Sequence, residues 1–214
     1  MGTISINRLG GLSLIIGPVI ALVFYFLSPG QLTEDPANTV AFVGAMQANV
    51  ALTNLTSFMV PIGLIIMLFG FHALQCHIRS SGNGEALSRL GVMFLFIATI
   101  GWVMGTAMSF AIANGADAVQ VGQVYAVAGG FNSIGTLAGG LAIFAFSMAI
   151  STRDDFNKNA ALVVALSAVV LVVVTVIGIT DTTQLQTMST IGGICYLITS
   201  AWSIMLGMAL RKTG

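Results

Sequence analysis

Reactive side chains are scarce in this chain. The nearest thing to a chemical constellation is FHALQCHIRS, residues 71–80, which sets His72, Cys76 and His77 within about a turn and a half of helix. His72 and Cys76 are spaced i, i+4, so on a helix they share a face and would grip one soft metal ion. His77 is turned by about 100° from Cys76 and points elsewhere. Two ligands do not complete a zinc or copper site. A bis-histidine haem across a bilayer fails as well, because both histidines of the chain sit at one end of one segment. A metal or haem at His72 and Cys76 would need its remaining ligands from a partner chain. The other reading is a polar helix end at a membrane interface, touching lipid headgroups or capping backbone carbonyls.

A second set is polar and uncharged. Asn54, Thr56 and Ser57 fall in one apolar segment, Asn132, Ser133 and Thr136 in another, and Thr190, Tyr196 and Thr199 in a third. An amide in lipid seeks a neighbouring helix or a wet cavity. Asn54, Ser57, Asn132, Ser133, Thr136, Tyr196 and Thr199 would therefore either line a ligand pocket or bond helix to helix. Pro18 and Pro61 would each kink a helix and free a carbonyl, helping to open such a pocket. Phosphate-cradling Gly-Lys loops and nucleophile elbows are absent. No catalytic residue and no cofactor is implied, and the chain is not expected to be an enzyme.

The elements that hold these residues follow from composition. The 214 residues are 57% hydrophobic and only 7% charged, with a mean hydropathy of +0.99. Such a chain cannot cover itself with a water-facing surface, and its net charge of zero, without a basic block, excludes a nucleic-acid surface. Six windows carry the roughly 20 apolar residues that a bilayer crossing needs: 9–28, 52–75, 90–113, 124–150, 160–180 and 189–210. The first resembles a signal peptide, but it is long enough to span and Ser28-Pro29-Gly30 is a poor cleavage site. The fourth is long and Gly-rich enough to be tilted or irregular near Gly129-Gly130.

Arg8, Arg79, Arg89, Arg153, Lys158, Arg211 and Lys212, which are all the lysines and arginines, fall on the same side of these six windows, whereas the opposite connections carry Glu34, Asp35, Asp117 and Asp181. The positive-inside rule then puts both termini on the cytoplasmic side. No charged residue lies in the middle of a window, which disfavours a retinal protein or a proton-coupled carrier. Cys76 would sit at the cytoplasmic face and Cys195 inside the bilayer, too far apart for a disulfide.

The connection after the first window is the longest. Asp35-Pro36 reads as a helix start, and Val40, Val43 and Met46 recur at helical spacing, so a short, separate amphipathic helix is expected there on the outer side, the alternative being that the segment extends the second window. Gly101, Gly105 and Ser109, then Gly135 and Gly139, then Ala161, Ala165 and Ala168, provide faces for close helix packing. Arg-Leu-Gly opens the first window at residues 8–10 and the third at 89–91, the pattern of repeated parallel hairpins, or simply of helices that start at a basic interface.

The stretches NRLGGLSLIIGPV, TEDPANTVAFVGAMQANVALTNL and GLIIMLFGFHALQ resemble, in pattern, a family of small bacterial six-helix membrane proteins of unknown function. The resemblance covers mainly the first 90 residues and implies no catalytic residue. The expectation is thus an all-α, polytopic bundle formed by residues 1–214 as one transmembrane domain. As to function, the chain is expected to be an accessory or scaffold subunit, binding lipid or a small apolar molecule within the bundle. Its partners would be the bilayer and other membrane subunits or copies of itself. The alternative is a facilitator of a small neutral solute through the polar cluster, and a third reading is a membrane enzyme with metal or haem at His72 and Cys76.

Overall fold

The computed structural model describes residues 4–213, with all side chains inside helices but those of residues 80, 81 and 118. Among the described residues the chain is all helical, with seven α-helices and no strand: α1 Ile6–Leu27, α2 Thr39–Ala48, α3 Val50–Ser81, α4 Glu85–Asn114, α5 Ala118–Ser151, α6 Lys158–Thr180 and α7 Leu185–Arg211. All but α2 are long and apolar enough to cross a membrane. A single 3-10 turn, Thr182–Gln184, leads into α7.

The helices start and stop where local chemistry dictates. Ser5 caps α1 by accepting from the Arg8 amide, Asn157 caps α6 by accepting from Ala160, and Asp117 accepts from Val119 and Gln120 at the start of α5. Most helices outrun their apolar windows. α3 continues past residue 75 to Ser81, because nothing stops the hydrogen-bond ladder until Gly82, whose φ of 93° few other residues adopt. α5 is one unbroken helix, so the irregularity expected at Gly129-Gly130 is not found. Both glycines lie on an exposed face with nothing near enough to distort them.

Six helices form a closed ring in the order α1, α3, α4, α5, α6, α7 and back to α1. Neighbours run antiparallel, which gathers all seven basic residues at one end. Asn7 donates to Thr213 at 3.2 Å there, tying the two chain ends together, and Arg153 reaches the Asn83 carbonyl at 3.2 Å. Small residues bring the backbones together: a Cβ on Gly17 would lie 2.5 Å from the Met67 nitrogen of α3, and one on Gly207 of α7 2.5 Å from the Gly11 carbonyl of α1. Gly101 of α4 packs against Gly135 of α5 in the same manner. Toward the basic end, the middle of the ring is filled by Phe71, Phe146 and Trp202, with ring centroids 4.8 Å apart for the first two and 6.4 Å for Phe71 and Trp202.

The short α2 forms a separate helix packed over α4 and α5 at the acidic end, where Val43 and Met46 join Ile112 and Val121. Two details depart from expectation. The helix is capped by Asn38, which accepts from Ala41, whereas Asp35 folds a preceding turn by accepting from Ala37. Val40 is 83% exposed and does not share the buried face. Residues three apart drift by about 60° per step, so Val40 and Met46 end up about 120° apart and amphipathicity is weak. Gln47 Nε2 secures α2 by donating to the carbonyls of Gly115 (2.8 Å) and Ile112 (3.2 Å), which are free at the end of α4.

Candidate functional site

Three places hold side chains with chemical potential: one where two connections meet, one between α3 and α4, and one joining α4, α5 and α7.

At the basic end, the α5–α6 connection folds back on itself. Arg153, only 7% exposed, donates twice to Asp155, from Nε at 2.8 Å and from Nη2 at 2.6 Å, and its guanidinium lies 5.9 Å from the Phe156 ring centre. Its Nη1 donates to the Asn83 carbonyl in the α3–α4 connection. That approach depends on Gly84, with φ of 85°, where a Cβ would lie 2.7 Å from the Ala149 carbonyl oxygen. His77 of α3 completes the cluster, its Nε2 3.4 Å from Asp155 Oδ2 and its ring edge-on to Phe156. Partial burial pushes the Asp155 carboxyl up, but hydrogen bonds and charge from Arg153, with help from His77, outweigh it and hold the carboxyl below its ordinary value. This cluster locks two connections together. It accounts for His77, whose partner sequence reading missed because it lies in a different connection.

The second place is the other side of the same α3 end. His72 and Cys76 do share a face, Nε2 to Sγ 3.9 Å, and both are exposed. Among the described residues no group of three or more His, Cys, Asp or Glu converges as metal ligands. Below His72, α3 and α4 leave a groove of about 560 Å³ open to the outside of the bundle, walled by Ile65, Phe69, Val92, Met93 and Phe96, with His72 as its polar member. A smaller cavity of about 230 Å³ lies at the same end between the α5–α6 connection and α7, beside Phe156 and Trp202.

The third place is the polar set. Trp102 Nε1 donates to Thr136 Oγ1 at 3.3 Å, and Thr136 shares a hydrogen bond of 2.9 Å with the Tyr196 hydroxyl, joining α4, α5 and α7. Asn54 is elsewhere, accepting from Asn114 of α4 at 3.3 Å. Asn132 is exposed and lays its amide over Gly105. Ser57 and Thr199 are buried, and Ser133 is half-buried. The structure thus brings Thr136 and Tyr196 together, sets Asn132 one turn from Thr136 on α5 without a hydrogen bond to either, and places Asn54 elsewhere, against Asn114. Trp102 was the missed member, an indole whose N–H needs a partner in an apolar bundle.

Pro18 does free a carbonyl, that of Leu14, but the consequence differs from the expected pocket. Ser203 of α7 donates to the Leu14 oxygen at 2.9 Å, and Leu14, Pro18 and Ser203 are all buried.

Compared with known proteins, the chain matches no family model, no curated protein and no solved structure.

Proposed function

We propose that this chain is a multi-pass protein of a bacterial inner membrane, both termini cytoplasmic, which acts without chemistry of its own as an accessory or scaffold subunit that holds lipid or a small apolar molecule. The observation that carries the reading is the α3–α4 groove: apolar, about 560 Å³, and opening outward from the ring, which moves the expected binding place from within the bundle to its flank. A site built for a polar solute would present converging hydrogen-bond groups, whereas this one offers hydrocarbon and a single imidazole. The collection of all seven basic residues at one end supports cytoplasmic termini.

Thr136, Tyr196 and Trp102 bond to one another, and this use of their polar groups favours interhelical attachment over a solute path. Purification of the full chain in a mild detergent, with lipid extraction and mass analysis of whatever accompanies it, tests the reading. Stoichiometric lipid or a companion protein is the expected result. A lone protein stripped of both would overturn it.

A further inference from the structure

The two walls of the α3–α4 groove continue past it toward the basic end. On α3, Ile65, Phe69, His72, Cys76 and Arg79 follow one stripe, and on α4, Phe96, Met93 and Arg89 follow the facing one, each a turn from the next. The apolar part is well exposed: Met93 64%, Phe96 55% and Ile65 54%. Arg79 has a partner, Glu85, at 3.7 Å. Arg89 is exposed, and among the described residues no carboxylate comes within ion-pair distance of it. The groove therefore runs from hydrocarbon walls at Ile65 and Phe96, through an imidazole, to the Arg89 guanidinium, whose neighbour one turn away on α4, Glu85, is engaged by Arg79.

We propose that this groove is a specific site for one anionic glycerophospholipid of the adjoining leaflet, with an acyl chain between α3 and α4 and the phosphate against Arg89 and His72. The inference rests on the lipid-holding reading above and adds the place and the headgroup. His72 stands about 10 Å along α3 from Ile65, and Arg79 and Arg89 lie beyond it toward the α3–α4 connection, so the polar end of the groove is the end at which basic residues meet the headgroups. Arg stays charged at any physiological pH and offers a planar fork that matches phosphate oxygens. A zwitterionic headgroup gains less, because its own ammonium offsets the phosphate. Arg8 provides an internal comparison, an exposed cation at the same end but on α1, away from the groove.

The test is native mass spectrometry of the full chain in detergent micelles titrated with phosphatidylglycerol or phosphatidylcholine. The unmodified protein should prefer phosphatidylglycerol for its first bound lipid by about fivefold, the usual effect of one basic residue near a charged lipid surface. Arg89→Gln should bring the two lipids close to parity, Met93→Trp should lower uptake of both by narrowing the groove, and Arg8→Gln should leave the preference intact. Preference unchanged in Arg89→Gln, or lost equally in Arg8→Gln, would overturn the site while leaving a lipid-holding protein. Absence of any retained lipid on the unmodified chain would remove the broader reading together with it.

Discussion

Ser203 donates its hydroxyl proton to the carbonyl of Leu14, the one carbonyl of α1 that Pro18 deprives of its ladder partner. A backbone oxygen in an apolar bundle has no water to turn to, so a defect in one helix becomes an attachment for another. Ser203→Ala should lower stability in detergent by about 1 kcal/mol. Pro18→Ala returns an N–H to Leu14, so in that background the loss from Ser203→Ala should vanish. A double-mutant cycle by thermal unfolding measures this coupling, and additive effects would refute it.

The Asp155 cluster predicts a pH limit. Its carboxyl is held below the ordinary value, so the stability it contributes is complete above about pH 4 and is lost as pH falls through the depressed value. Midpoints of thermal unfolding should drop below about pH 4 in the unmodified protein, and drop less in Asp155→Asn. Above that range Asp155→Asn should itself be destabilised by about 2 kcal/mol, since Arg153 stays buried without its carboxylate. Parallel pH profiles for the two proteins would contradict the assignment.

Close approach of α1 and α3 requires glycine on both sides. A side chain at Gly17 would meet the Met67 backbone, which cannot swing aside as a flexible side chain would. Gly17→Val should cost about 3 kcal/mol or prevent accumulation of folded protein, whereas Gly129→Ala, on an open face, should be tolerated. Expression and monodispersity in detergent compare the two, and equal behaviour would argue against this packing.

Thr136→Val keeps shape while removing both hydrogen bonds that join Trp102 and Tyr196. A change in tryptophan emission with a loss of about 1 kcal/mol is expected. Asn132→Leu, by contrast, should not alter uptake of small neutral solutes into vesicles. A clear loss of uptake in that variant would move the balance toward a facilitator.

For His72 and Cys76, metal analysis and a visible spectrum of the purified chain should be blank, and the His72→Ala, Cys76→Ser pair should bind no less metal than the parent. A stoichiometric ion lost in that variant would revive the metal reading.

The sequence alone determined where the long helices lie and which ends carry charge, because lipid enforces a coarse and local rule: about 20 apolar residues in a row, with cations left at the margins. Small residues such as Gly101 and Gly135 were legible as packing faces for the same reason, since only small side chains permit backbones to touch. Partners were not legible. Nothing in the spacing of His77 points to Asp155, and Pro18 announces a vacant carbonyl without saying that Ser203 fills it. Val40 looked like a core residue of α2 and faces outward, because which side of a short helix is covered depends on what it lies against. Tertiary structure decided these matters by closing the ring, which sets α7 beside α1 and the α5–α6 connection beside the end of α3. Hydrogen bonds act over about 3 Å, so they are fixed only after packing has chosen which distant residues become neighbours.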